Sequence, residues 1–173
     1  MQTHRLVAHP DHPPLAVKGV SLRWVDLDDG RTILRYRLDG CGSLITPAYS
    51  GSGRADDLWK TTCFELFLSD GSPAYFEFNF SPSSRWASYG FESYRSAPIQ
   101  PELSMQPEIR SERGAEIFLL TACLASDDIR GATRLGVSAI VEEEGGRLSY
   151  WALAHPKGRP DFHHPACFAA KPL

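Results

Sequence analysis

Two short runs hold the side chains with the most chemistry to offer. LWKTTCFELFL at 58–68 carries Trp59 and Glu65, and YFEFNFS at 75–81 carries Glu77 and Asn79. Alternation of period two puts Phe76, Phe78 and Phe80 on one face of a strand and Tyr75, Glu77, Asn79 and Ser81 on the other. The first run divides the same way, with Phe64, Leu66 and Leu68 against Cys63, Glu65 and Phe67. Ser69-Asp70-Gly71-Ser72 joins the two runs as a short loop, so they are expected to pair antiparallel. The register that matches the apolar faces sets Glu65 beside Glu77 or Asn79, about 4.5 to 5.5 Å away, because a slip of one residue would turn the carboxylates into the core.

Two carboxylates and an amide on one face, with Trp59 at one end and Arg85, Trp86 and Arg95 nearby, are the parts of a sugar site. Sugar hydroxyls take paired acceptors and donors, and sugar C–H faces stack on flat aromatic rings. The competing reading is the ordinary polar outer face of a sheet. A further alternative is catalytic: paired carboxylates perform acid–base work in glycoside hydrolysis, at a separation of about 5 to 5.5 Å in retaining enzymes, which would make Glu65 and Glu77 a glycosidase-like pair. The sequence contains no G-x-S-x-G elbow, H-E-x-x-H or P-loop, so an enzyme would have to work through this face.

The elements that must position these groups are strands. Runs rich in β-branched and aromatic residues recur at 20–26, 32–38, 58–68, 75–81, 86–91, 104–112, 116–125, 134–143 and 148–155. About nine strands separated by turns are the pattern of an all-β sandwich of two antiparallel sheets, jelly-roll or immunoglobulin-like. Asp29-Gly30 and Gly145-Gly146 supply hairpin turns, and Pro98, Pro101 and Pro107 mark a long connection between sheets. The tail HPKGRPDFHHPACFAAKPL is too rich in proline for regular structure, while Phe162 and Phe168 would pack it on the body. At 173 residues, one domain spanning 1–173 is expected, large enough to bury about 70% of its unfolded surface.

A net charge of −3 without any Lys/Arg run argues against nucleic acid, and no segment is apolar enough for a signal peptide or membrane span. A cytoplasmic protein is expected. Cys41, Cys63, Cys123 and Cys167 are scattered without a C-x-x-C pair, so they read as small buried hydrophobes. His163 and His164, adjacent in extended chain, point opposite ways, and no metal set is expected. Met105 with His155 would be the one axial pair for haem b.

LWKTTCFELFL, then YFEFNFSPSSRWASYGFESYR, then YWALAHPKGRPDFHH together resemble the DOMON-like proteins related to family 9 carbohydrate-binding modules. The resemblance runs from about Leu58 to His164, that is, over most of the chain. It implies a β-sandwich in which tryptophans clasp a sugar while a Glu, an Arg and amides bind its hydroxyls; other branches hold haem b through Met and His. Carried onto this chain, Trp59 and Glu65 match the aromatic and acidic pair on one strand, Trp151 is the second clamp, and Arg85 or Arg95 supplies the guanidinium. The expected ligand is a soluble sugar bound without catalysis. A partner-binding or structural sandwich without a small ligand is the rival, and periodicity singles out no edge strand that would set an oligomeric state.

Overall fold

A computed structural model of the protein describes residues 1–172. Its strands are β1 (Gln2–Ala8), β2 (Gly19–Asp26), β3 (Arg31–Asp39), β4 (Leu44–Ile45), β5 (Gly53–Arg54), β6 (Cys63–Ser69), β7 (Tyr75–Phe80), β8 (Arg85–Phe91), β9 (Glu108–Arg113), β10 (Ile117–Ala125), β11 (Arg134–Glu143) and β12 (Arg147–Ala152). They form one hydrogen-bonded path, β5-β8-β7-β6-β11-β12-β1-β2-β3-β10-β9, with β4 attached to β11. All pairs are antiparallel except β5 with β8.

The all-β expectation holds, whereas the division into two separate sheets does not. β1 joins the halves: Gln2–Leu6 pair with β2, and Val7 and Ala8 pair with β12. The single sheet curls so that its halves face each other across one core. Tyr36 of β3 meets Phe64 of β6 with ring centroids 5.0 Å apart, and its hydroxyl donates to the Glu65 carbonyl at 2.9 Å. A buried tyrosine needs such a partner, so this bond ties the two halves while leaving the ring in the core. β1 escaped the sequence reading because an inward position is taken by His4, which is buried without being apolar.

Alternation governs the central hairpin as expected. Phe64, Leu66, Leu68, Phe78 and Phe80 are buried in the main core. Phe76 shares their face but lies at the hairpin end and is 46% exposed. The expected 58–68 strand is cut in two, since Leu58–Lys60 form one turn of 3-10 helix and β6 begins only at Cys63. Likewise the run at 104–112 becomes a strand only after Pro107. The face of β6 and β7 opposite the core is also dry: Phe67, Tyr75, Ile140, Ala152 and Phe162 form a second apolar cluster beneath the C-terminal tail.

Glu143, at the end of β11, is fully buried. It accepts from the backbone N–H of Leu15 at 2.6 Å, Ala16 at 2.7 Å and Val17 at 3.1 Å, and from the Ser43 hydroxyl at 2.7 Å. Burial pushes this carboxyl's pKa up, but the Ser43 and backbone bonds outweigh it and leave the value lowered. Four donors thus hold an ionised carboxylate that pins the β1–β2 connection to β11. Replacing it with an amide removes the charge and turns an acceptor into a donor. Glu143→Gln is therefore expected to cost about 2 kcal/mol in denaturant unfolding; an unchanged midpoint would show that the pin is dispensable.

Candidate functional site

The register brings the chemistry of five strands to one face. Glu65 sits opposite Asn79 and Phe67 opposite Glu77 across β6 and β7. Glu77 faces Tyr89 on β8, Glu65 faces Ser138 on β11, and Ile140 faces Tyr150 on β12. Over this floor lie the Leu58–Lys60 turn, the loop that carries Tyr94 and Arg95, and the tail around Asp161 and His163. Together they enclose a cleft of about 1510 Å³.

The carboxyls of the floor are buried but poorly supplied with donors. Glu65 is 3% exposed, and its Oε2 accepts from the Ser138 hydroxyl at 2.8 Å. Burial first, and repulsion from Glu77 second, push its pKa up to about 8 against that hydrogen bond. Glu77 is 7% exposed, and its Oε1 accepts from Asn79 Nδ2 at 2.9 Å. Burial raises it to about 7, with Asn79 and Arg95 opposing. Asn79 is itself buried, and its Oδ1 has no hydrogen-bond partner among the described residues.

His163 Nε2 lies 3.7 Å from Glu77 Oε2. Burial, reinforced by the nearby Arg95 charge, lowers the pKa of this imidazole to about 4, so the contact is not an ion pair at neutral pH. Tyr75 Oη accepts from the Arg95 backbone N–H at 3.2 Å and lies 2.8 Å from His163 Nδ1. The tyrosine hydroxyl and Nδ1 share one hydrogen bond, its direction following the imidazole tautomer, and Nε2 faces Glu77. Asp161 latches the tail to the facing loop, accepting from the Arg95 guanidinium at 2.7 Å and from the Tyr94 hydroxyl. Burial pushes Asp161 up, but these two partners hold its carboxyl below the usual range. Arg95 reaches this position from a left-handed backbone, φ 51°.

Trp59 lines the mouth and is 53% exposed, with the Lys60 ammonium 5.8 Å from its ring centroid. Trp59, Glu65, Glu77, Asn79 and Arg95 thus meet in one cleft, as the sequence implied, although Trp59 stands on a turn ahead of β6 and not on the same strand as Glu65. Trp151 and Trp86 are placed elsewhere: both are buried in the main core. Alternation explains this, because Ala152 pairs with Ser138, itself opposite Glu65, so its neighbour Trp151 faces inward. Its indole N–H donates to Ser149 Oγ at 3.0 Å. Trp86 lies one residue from Ala87, the partner of Asn79, and turns inward for the same reason. Arg85 holds the 50–54 loop through the Ser50 carbonyl at 2.7 Å and does not line the cleft. His155 bonds the Val7 carbonyl at 2.9 Å. Among the described residues no group of three or more His, Cys, Asp or Glu is placed to hold a metal ion.

Tyr89, Tyr150 and Asp161 belong to the cleft and were not singled out from sequence, and His163, weighed there only as a metal ligand, belongs to it as well. Counting parity outward from Glu65 would have found the two tyrosines. The tail residues carry no periodic signal.

No protein-family model and no curated protein matches the sequence. Among solved structures, a candidate carbohydrate-binding protein from Bacteroides uniformis ATCC 8492 superposes with a TM-score of 0.65 over 96% of this chain and 84% of its own, at 19% identity. At that identity the likeness speaks for the fold.

The raised carboxyls set a pH dependence of stability. Between the ordinary Glu value of about 4.3 and the folded values of about 7 and 8, the folded state holds more protons than the unfolded one, so stability falls as pH rises. His163 acts in the opposite sense, because its lowered pKa makes stability rise with pH between about 4 and about 6.5. Above pH about 6.5 the carboxyl effect dominates, until the buried thiols of Cys63, Cys123 and Cys167, also raised by burial, add a decline of their own above pH about 8. The melting temperature is expected to decline from pH about 6.5 to about 8 and to flatten over that range in a Glu65→Gln/Glu77→Gln double variant. An equal decline in both proteins would place the carboxyls in water.

Proposed function

We propose that the cleft binds a soluble carbohydrate reversibly, with no bond made or broken, in the manner of a DOMON-like module related to family 9 carbohydrate-binding modules. The observation that carries the reading is the pairing of an exposed indole at the mouth with buried polar acceptors on the floor. Trp59 offers a flat face for sugar C–H groups, and Glu65, Glu77, Asn79 and Arg95 offer hydrogen bonds to hydroxyls at its far side. Tyr150 and Tyr89 add partly buried ring surface to the walls. The curled sheet serves as the sandwich of such a module, and the Bacteroides uniformis neighbour supports a sugar over other small ligands. The reading places the protein in the cytoplasm and requires neither haem nor metal.

Binding is favoured over glycoside hydrolysis by the character of the two carboxyls. A hydrolase divides the work between one protonated acid and one ionised base or nucleophile. Here both are pushed upward, to about 8 and about 7, and Glu65 faces Asn79 directly while Glu77 lies on the diagonal.

Tryptophan fluorescence tests the reading cleanly, because Trp24, Trp86 and Trp151 are all buried and only Trp59 is exposed. Titration with mono- and disaccharides is expected to give a saturable change for one sugar class. Trp59→Ala should weaken binding, followed by calorimetry, by about tenfold or more, roughly 1.4 kcal/mol, with the melting temperature unchanged. A flat response across the panel would contradict the proposal and favour a protein partner.

A further inference from the structure

We infer that the sugar carries a primary ammonium, seated on the floor of the cleft between Glu65, Glu77 and the free oxygen of Asn79; this rests on the carbohydrate reading above. Three buried glutamates differ in how their oxygens are supplied with donors. Glu143 is satisfied by four donors. Glu65 and Glu77 are as deeply buried, yet each receives one donor, a hydroxyl and an amide respectively. Beside them Asn79 Oδ1 is buried, unpartnered among the described residues, and part of the cleft lining. A buried acceptor without a donor is destabilising, so this floor stores an unmet demand for N–H groups.

An ammonium meets that demand with three donors from one atom. Glu65 and Asn79 are directly cross-strand, and Glu77 is the diagonal neighbour of Glu65 on the same face, within reach of one small cation. A neutral hydroxyl brings one donor and leaves the carboxyls uncharged. No resident cation fills the place: the Arg95 guanidinium is bonded to Asp161 and Tyr94 shares that latch, while Lys157 and Arg159 lie exposed at the rim. The neutral His163 faces Glu77 from the tail, and Tyr75 and Tyr89 flank it on the sheet. Cys63 accompanies Glu65 on the same face, and Tyr36 approaches from the core side through the Glu65 carbonyl. None of these supplies a positive charge at neutral pH.

Arrival of the cation favours the ionised form of both carboxyls, so a proton leaves Glu65 or Glu77 for solvent while the ligand keeps its own. Affinity for a 2-amino sugar should therefore rise with pH from about 6 to about 7 and fall above that, as the sugar amine itself deprotonates, whereas methylamine keeps its charge through this range.

Isothermal calorimetry decides the matter, with glucosamine, galactosamine and mannosamine against glucose, galactose and mannose, the N-acetylated amino sugars and methylamine. Each is titrated at several pH values in two buffers of different ionisation enthalpy. One amino sugar is expected to bind at least about tenfold tighter than its parent and N-acetyl forms near neutral pH, with proton release at pH about 6 to 7, where the free ligand is charged and the carboxyls are protonated. Glu65→Gln or Glu77→Gln should abolish both the preference and the proton release, with a melting temperature unchanged at pH about 6, where both carboxyls still hold their protons. Equal binding of the parent sugar would overturn the ammonium inference and leave the carbohydrate reading standing. Binding of methylamine as tight as the amino sugars, unaffected by Trp59→Ala, would support the ammonium site and overturn the carbohydrate reading. No binding by any of them would overturn both.

Discussion

The structure depends on one constraint: the central hairpin must bury both of its faces. Alternation gives Phe64, Leu66, Phe78 and Phe80 to the main core, and the same alternation commits Glu65, Glu77 and Asn79 to the opposite side. On an ordinary sandwich that side would be wet. Here the tail crosses it and its apolar part packs with Phe67, Tyr75 and Ile140. The carboxyls are thereby removed from water without being given enough donors, and their proton affinity rises.

The tail is as much a part of the site as the strands. Phe162 anchors it on the second apolar cluster, and Ala170 forms a bridge to Leu135 of β11. At Gly136 an added Cβ would stand 3.2 Å from the Cys167 carbonyl oxygen, so the sheet and the tail approach at a point where a side chain would intrude. On either side of Phe162, Asp161 and His163 are held against Arg95 and Tyr75, giving the cleft one wall from the tail and one from the loop after β8. Glu143 performs the corresponding service at the other end of β11, where its satisfied carboxylate fixes a loop and leaves nothing over for a ligand.

Much of this arrangement was legible in the sequence, and the reasons for the rest are physical. Matching apolar faces narrowed the partner of Glu65 to Glu77 or Asn79, because a slip in register exchanges core for surface, and the register of β6 and β7 selects Asn79. That logic also said that the carboxylates would stay out of the core, which they do; it could not say that the tail would bury them from the other side. Parity, followed across β11 to β12, places Tyr150 and not Trp151 in the cleft, a step that needs the pairing of strands distant in sequence. Trp59 lost its strand because Asp57 adopts a left-handed conformation and starts a turn there. β1 was hidden by a histidine in a core position, and with it went the link that makes two sheets into one.

The central claim is that Glu65 and Glu77 form a dry, donor-poor floor waiting for a ligand. Carbon-13 NMR of the glutamate carboxyl groups, titrated from pH 3 to 10 in the unliganded protein, measures this directly. The account predicts that two glutamates, assigned through the Glu65→Gln and Glu77→Gln variants, titrate near pH 8 and pH 7. Midpoints for both near the ordinary value of about 4.3 would mean that water or unrecognised donors already reach them, and would contradict the account.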